Sequence, residues 1–174
     1  MSPALPDMSL DNTEVTVELW AWIPNPISWP IPTGNSEAYS SDVLGQSNTG
    51  GNGEQNMGIL PTGEMFLGLN RGTTGNDWTS AAGVVPWEEW VHLAWVIDTT
   101  QIRGYVNGVQ VFSANTSRKW AALATPLTIG YSNVSGYPQY KRFWNGYMDE
   151  LRISKGSALY SANFTPPIAP FPNP

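Results

Sequence analysis

Phe143 to Pro167 reads FWNGYMDELRISKGSALYSANFTPP. Trp144 to Ile153 carries the apolar and β-branched density of a strand. Ser154-Lys155-Gly156 follows as a short turn, and the run to Pro166-Pro167 is an extended, Pro-rich exit. The stretch is predicted to be the strand that closes a β-sandwich.

The strands expected upstream fit that reading. In Trp90 to Asp98, Val91, Leu93, Trp95 and Ile97 share one face, which marks a central strand. Ile102 to Phe112 holds Asn107-Gly108 between apolar runs, the pair that supplies positive φ to a tight hairpin turn. Val15 to Ile23 alternates, with Val15, Val17, Leu19, Ala21 and Ile23 opposite Thr16, Glu18, Trp20 and Trp22. That second face is itself partly apolar, so it is expected to be covered. Trp20, Trp22, Trp90 and Trp95 are assigned to the core. Prolines from Pro24 to Pro32 end the first strand. Residues 33–56 form a polar loop with one short strand at Val43 and Leu44, and Pro61-Thr62-Gly63 turns a hairpin between Met57–Leu60 and Glu64–Leu69. Residues 70–83 form a second polar loop, and Leu127 to Tyr131 is a further strand. No long amphipathic helix and no internal repeat is present. The expected organisation is an arm over residues 1–13, a sandwich domain over 14–165 and a Pro-rich tail over 166–174.

Composition narrows the function classes. Hydrophobic residues make up 41% of 174 and charged residues 13%, the balance of a packed domain rather than a disordered chain. The net charge of −6, with eight Lys and Arg and no basic run, argues against nucleic acid as a partner. The absence of cysteine removes disulfides, thiolate metal sites and thiol nucleophiles. No apolar run approaches a membrane span, and the N-terminus lacks the pattern of a signal peptide.

Five segments in order resemble the concanavalin A-like, laminin-G-like lectin family: Thr16 to Trp22, Trp-x-His-Leu-Ala at Trp90 to Ala94, Tyr-Val-Asn-Gly at Tyr105 to Gly108, Pro-Leu-Thr-Ile-Gly at Pro126 to Gly130, and Gly-Tyr-x-Asp-Glu-Leu-Arg-Ile at Gly146 to Ile153. The ending from Ser154 to Pro167 is similar to a subtype found in tailed-phage and environmental viral structural proteins. The resemblance implies an all-β fold, a two-sheet antiparallel jelly-roll sandwich. It implies a non-enzymatic, lectin-like virion surface protein: a capsid decoration protein or a tail or fibre adhesin, made in the host cytoplasm. Its partners would be glycans, other virion proteins or a second copy in a homo-oligomer. The alternative is a carbohydrate-binding module of a larger secreted or cell-surface protein. A glucanase-like hydrolase is the remote alternative, because such chemistry needs two carboxylates on one face of a strand. The acidic pairs here, Glu88-Glu89 and Asp149-Glu150, are adjacent and alternate between faces.

Nine Trp and seven Tyr are the main pointer to a ligand, since apolar sugar faces stack on aromatic rings. Trp78, Trp120, Tyr137 and Tyr140 fall in predicted loops among polar neighbours and are the candidate carbohydrate-binding residues. Packing competes with that role at each. No cofactor is required. Alternation places Asp149 with Tyr147, Leu151 and Ile153 on the more apolar face, where a carboxylate needs a partner. Arg152, backbone amides or Ca2+ would serve, and the family resemblance implies the calcium. His92, the sole histidine, is read as structural. Sequons at Asn115, Asn133 and Asn163 matter only on a eukaryotic secretory route.

Overall fold

The computed structural model describes residues 10, 13–25, 40–47, 54–71, 76–121, 125–133 and 141–171. All regular structure among them is strand, and among them no helix is long and apolar enough to cross a membrane. The strands are β1 (Val15–Trp22), β2 (Ser41–Gln46), β3 (Glu54–Ile59), β4 (Met65–Arg71), β5 (Asn76–Thr79), β6 (Trp90–Ile97), β7 (Gln101–Val106), β8 (Val109–Asn115), β9 (Thr128–Ile129), β10 (Tyr131–Asn133), β11 (Lys141–Phe143) and β12 (Tyr147–Lys155). One antiparallel sheet runs β12-β1-β6-β7-β8 and the other β5-β4-β3-β2-β9, with β10-β11 a separate hairpin. This is the all-β, two-sheet antiparallel jelly roll that the family resemblance implies.

The core lies between the sheets. Val15, Val17, Leu19 and Ala21 of β1 and Val91, Leu93, Trp95 and Ile97 of β6 face Leu44, Met57, Ile59, Leu67 and Leu69 of the other sheet, all fully buried. The Trp95 indole donates to the Phe66 carbonyl at 2.8 Å, which satisfies its polar edge and ties one sheet to the other. Asn107 and Gly108 both hold positive φ, 49° and 75°, as the hairpin reading requires.

The face of the first sheet turned away from the core is covered as well. Residues 157–171 form a strap across it. The Thr16 hydroxyl donates to the Ser157 carbonyl and accepts from the Leu159 amide, each at 2.9 Å. Phe164 N donates to the Gly108 carbonyl at 2.9 Å, and the Trp20 indole donates to the Pro167 carbonyl at 3.2 Å. Beneath the strap Ala94, Val96 and Tyr105 make a small second core with Ala158, Tyr160 and Phe164. Gly108 is required twice over: it holds positive φ, and a Cβ there would lie 1.9 Å from the Phe164 carbonyl oxygen. Contacts at Pro167 and Phe171 tie the described part of the Pro-rich end to the domain, while Ile168 between them is 97% exposed.

Strict alternation fails at one place in β12. Glu18 pairs with Arg152 but Trp20 pairs with Asp149, so Leu19 opposes two residues, Glu150 and Leu151. Glu150, at φ 51°, is the extra residue of a β-bulge. The bulge reverses facing along the strand. Met148, Leu151 and Ile153 pack on the core, whereas Asp149 is exposed, contrary to its expected place on the apolar face.

Candidate functional site

Of the predicted loop aromatics, Trp78 and Trp120 fall within the described residues, and both pack on the core. Trp120 is fully buried, its indole donating to Gln46 Oε1 at 2.7 Å. Gln55 fixes the neighbouring backbone by accepting from Ala121 N and donating to Ala121 O. The loop folds inward and Trp120 plugs the end of the sandwich, so it offers no face to a sugar; that assignment is corrected to core. Trp78 pairs with Leu67 on β5 and is half-buried against the same core. Tyr137 and Tyr140 lie outside the described residues. Asp149 Oδ1 accepts from Glu150 N at 2.9 Å, and no group of three or more His, Cys, Asp or Glu converges among the described residues.

A different set of aromatics reaches solvent. Trp22 is the partner of Trp90 on one side and of Tyr147 on the other, so the three stand abreast on β6, β1 and β12. All point away from the core, opposite to Ala21, Val91 and Met148. At normal strand spacing the row spans about 10 Å. Trp90 is 49% exposed and Tyr147 66%, while Trp22 is half-buried between them. The Trp22 and Tyr147 rings lie 5.6 Å apart and tilted by 57°, an open V rather than a flat strip. The sequence reading places Trp22 and Trp90 in the core; the structure puts both on the outer face, Trp90 half-exposed and Trp22 half-buried. The row exists because the strap holds Thr16, Glu18 and Trp20 but makes no described contact with Trp22. Alternation put Trp22 on the outer face; only the path of residues 157–171 shows that this residue is left open.

Behind the row, under the strap, lies a buried polar network. Arg152 donates to Glu18 Oε1 through Nε at 2.8 Å and Nη2 at 2.5 Å, and the Tyr160 hydroxyl donates to Glu18 Oε2 at 2.8 Å. His92 Nε2 lies 3.3 Å from Glu18 Oε2, close but not aligned as a hydrogen bond. Burial pushes the Glu18 carboxyl up, but His92, Tyr160 and Arg152 together outweigh it and hold the group below its ordinary value. Burial and the neighbouring Glu18 push the Tyr160 phenol up to about 12. Phe171 caps this arrangement with its ring 3.9 Å from the Arg152 guanidinium carbon, and its amide donates to Glu150 Oε2 at 2.7 Å.

The outer face of the second sheet is closed by the β10-β11 hairpin. Asp42 Oδ2 accepts from Asn56 Nδ2 at 2.9 Å and from the Ser132 hydroxyl, and Arg142 meets Glu54 at 2.5 Å. Ser132 lies where a side chain at Gly45 would be, with its Cβ 2.3 Å from that position. Burial raises the Asp42 carboxyl above its ordinary value, only partly offset by Arg142, Ser132, Asn56 and Ser40. Tyr131 and Phe143 stack on this hairpin at 5.0 Å and 26°, with Phe143 59% exposed.

Residues 2–162 match the model of the concanavalin A-like lectin/glucanases superfamily. No curated protein matches the sequence. The fold is similar to the CBM40 of Ruminococcus gnavus IT-sialidase bound to alpha2,3 sialyllactose, with a TM-score of 0.64 and 12% identity over 87% of this chain and 80% of that one. Domain 4 of a GH43 extracellular arabinanase from Geobacillus stearothermophilus, in complex with arabinotriose, gives 0.54 and 20% over 83% and 61%. Domains LG4-5 of the mouse laminin alpha1 chain give 0.56 and 16% over 87% and 39%. At these identities the likeness is one of fold.

Proposed function

Because the chain belongs to the concanavalin A-like lectin/glucanases superfamily, we propose that it is a non-enzymatic, lectin-like domain that binds glycans through the Trp90–Trp22–Tyr147 row. The observation that carries this reading is the row itself. Trp90 and Tyr147 are exposed with Trp22 half-buried between them on neighbouring strands, and the Trp22 and Tyr147 rings lie 5.6 Å apart. Aromatic faces with polar groups at their edge are what a sugar requires.

The setting in which it acts is a virion surface, as capsid decoration or as a tail or fibre adhesin. The phage-like ending at Ser154 to Pro167 supports that setting, and display of many copies would multiply weak single-site affinity. A second reading is a carbohydrate-binding module of a larger secreted or cell-surface protein. Its support is that two of the similar folds are domains of a sialidase and an arabinanase.

Glycan-array binding of the wild type beside Trp90→Ala and Trp22→Ala tests the site. Trp90 is half-exposed, so its truncation is expected to leave thermal unfolding nearly unchanged while cutting binding at least about ten-fold, the loss of one good stacking contact. Binding that survives both substitutions would remove the row from the site. A parallel arm with chelator tests calcium at Asp149, which sits two residues along β12 from Tyr147 and pairs with Trp20.

A further inference from the structure

The row is bordered by negative charge and has no free cation beside it among the described residues. Glu88 and Glu89 precede Trp90 and are exposed, and Asp149 is exposed two residues along β12 from Tyr147 at the other end. Arg152 lies further along the same face, but its guanidinium is bound to Glu18 and lies against the Phe171 ring. The other guanidinium ion pairs, Arg103 with Asp98 and Arg142 with Glu54, are likewise committed to carboxylates. The whole chain carries a net −6.

We infer that the glycan taken by this row is uncharged: a neutral hexose or N-acetylhexosamine chain, and not a sialylated, sulfated or uronic one. The inference rests on the glycan-binding reading above and sets its ligand class. Recognition of an acidic sugar calls for a guanidinium or ammonium aimed at the anion, with arginine favoured for its two-pronged geometry. This rim offers carboxylates instead. An ionised carboxylate only accepts hydrogen bonds, so it suits sugar hydroxyls, which donate, and repels an anionic sugar. The tilt of 57° between Trp22 and Tyr147 adds a second restriction. Rings set at an angle follow a single chain whose successive units rotate, rather than the flat face of a crystalline polysaccharide.

The test is a panel in which each neutral glycan is paired with its acidic counterpart, lactose with sialyllactose among them, read by binding to the full chain at low and physiological salt. Neutral members are expected to bind roughly two- to five-fold more tightly at physiological salt, with a wider gap at low salt, as for exposed charges within about a Debye length. The combined variant Glu88→Gln, Glu89→Gln, Asp149→Asn is expected to narrow the gap by strengthening acidic ligands, with neutral ones held within about two-fold. Tighter binding of the acidic members, abolished by Trp90→Ala, would overturn the ligand class and leave the glycan-binding reading standing. No glycan bound, together with a dimer that Trp90→Ala dissolves, would overturn both and make the row a contact between copies.

Discussion

Glu18 and Asp42 occupy equivalent positions, each buried on the outer face of one sheet under a later segment of the chain, yet their carboxyls shift in opposite directions. Glu18 receives a guanidinium at two nitrogens and a phenol. Asp42 receives an amide and a hydroxyl, and Asp42 Oδ1 has no hydrogen-bond partner among the described residues. Neutral donors do not repay the burial of a charge, whereas a charged donor in contact does. The strap is therefore held by an ionised group, and the β10-β11 hairpin sits on a carboxyl that burial drives toward its neutral form.

Isosteric amides separate the two most sharply. Glu18→Gln is expected to cost about 2 kcal/mol, the range for hydrogen bonds to charged groups, because an amide faces Arg152 in place of a carboxylate. Asp42→Asn is expected to cost less than about 1 kcal/mol, since the amide oxygen still accepts from Ser132 and the buried charge disappears. Urea unfolding of both variants decides it, and equal losses would break the comparison.

Acid is expected to produce the next effect. The lowered carboxyl of Glu18 contributes stability that is fully present above its ordinary value of 4.5 and is lost as pH falls through its folded value. The raised carboxyl of Asp42 works the other way: lowering the pH through its folded value toward 3.8 relieves a cost. Below about pH 4 the strap should therefore open before the hairpin. Hydrogen exchange corrected for intrinsic rates reads this out at the Phe164 amide, bonded to Gly108, against the Trp144 amide, bonded to Gly130. Loss of both together would mean that the sheets fail as one unit.

The narrowest test concerns Tyr160, whose hydroxyl is one of the groups on Glu18. Removing its hydroxyl in Tyr160→Phe is expected to cost about 1.5 kcal/mol, the low end for a hydrogen bond to a charged group, because Arg152 still holds Glu18. Its phenol is raised from 10 to about 12 in the folded state, so the wild type loses the corresponding stability as pH climbs through that window. The phenylalanine variant lacks this alkaline loss. An identical alkaline profile in both proteins would show that Tyr160 does not report on the strap.

Much of the fold was legible along the chain. β1 and β6 declare themselves by alternation, and Asn107-Gly108 by the positive φ that only such pairs adopt readily. The face of Asp149 was not legible, because one extra residue at Glu150 reverses every facing beyond it. The role of Trp120 was not either. A polar neighbourhood in sequence marks a loop, but the glutamines that bury this indole, Gln46 and Gln55, lie on distant strands.

The sequence by itself determined β1, β6 and the β7–β8 hairpin, the inward faces of β1 and β6, and the acidic, cysteine-free composition, all properties of local pattern; β5, read as part of a polar loop, and the facing of β12 it did not. Tertiary structure decided which outward aromatics stay open. Trp20 and Trp22 have the same facing and the same side chain, and one is bound by the strap while the other joins an exposed row. That difference depends on where a segment about 147 residues later in the chain lies, and no period within β1 encodes it.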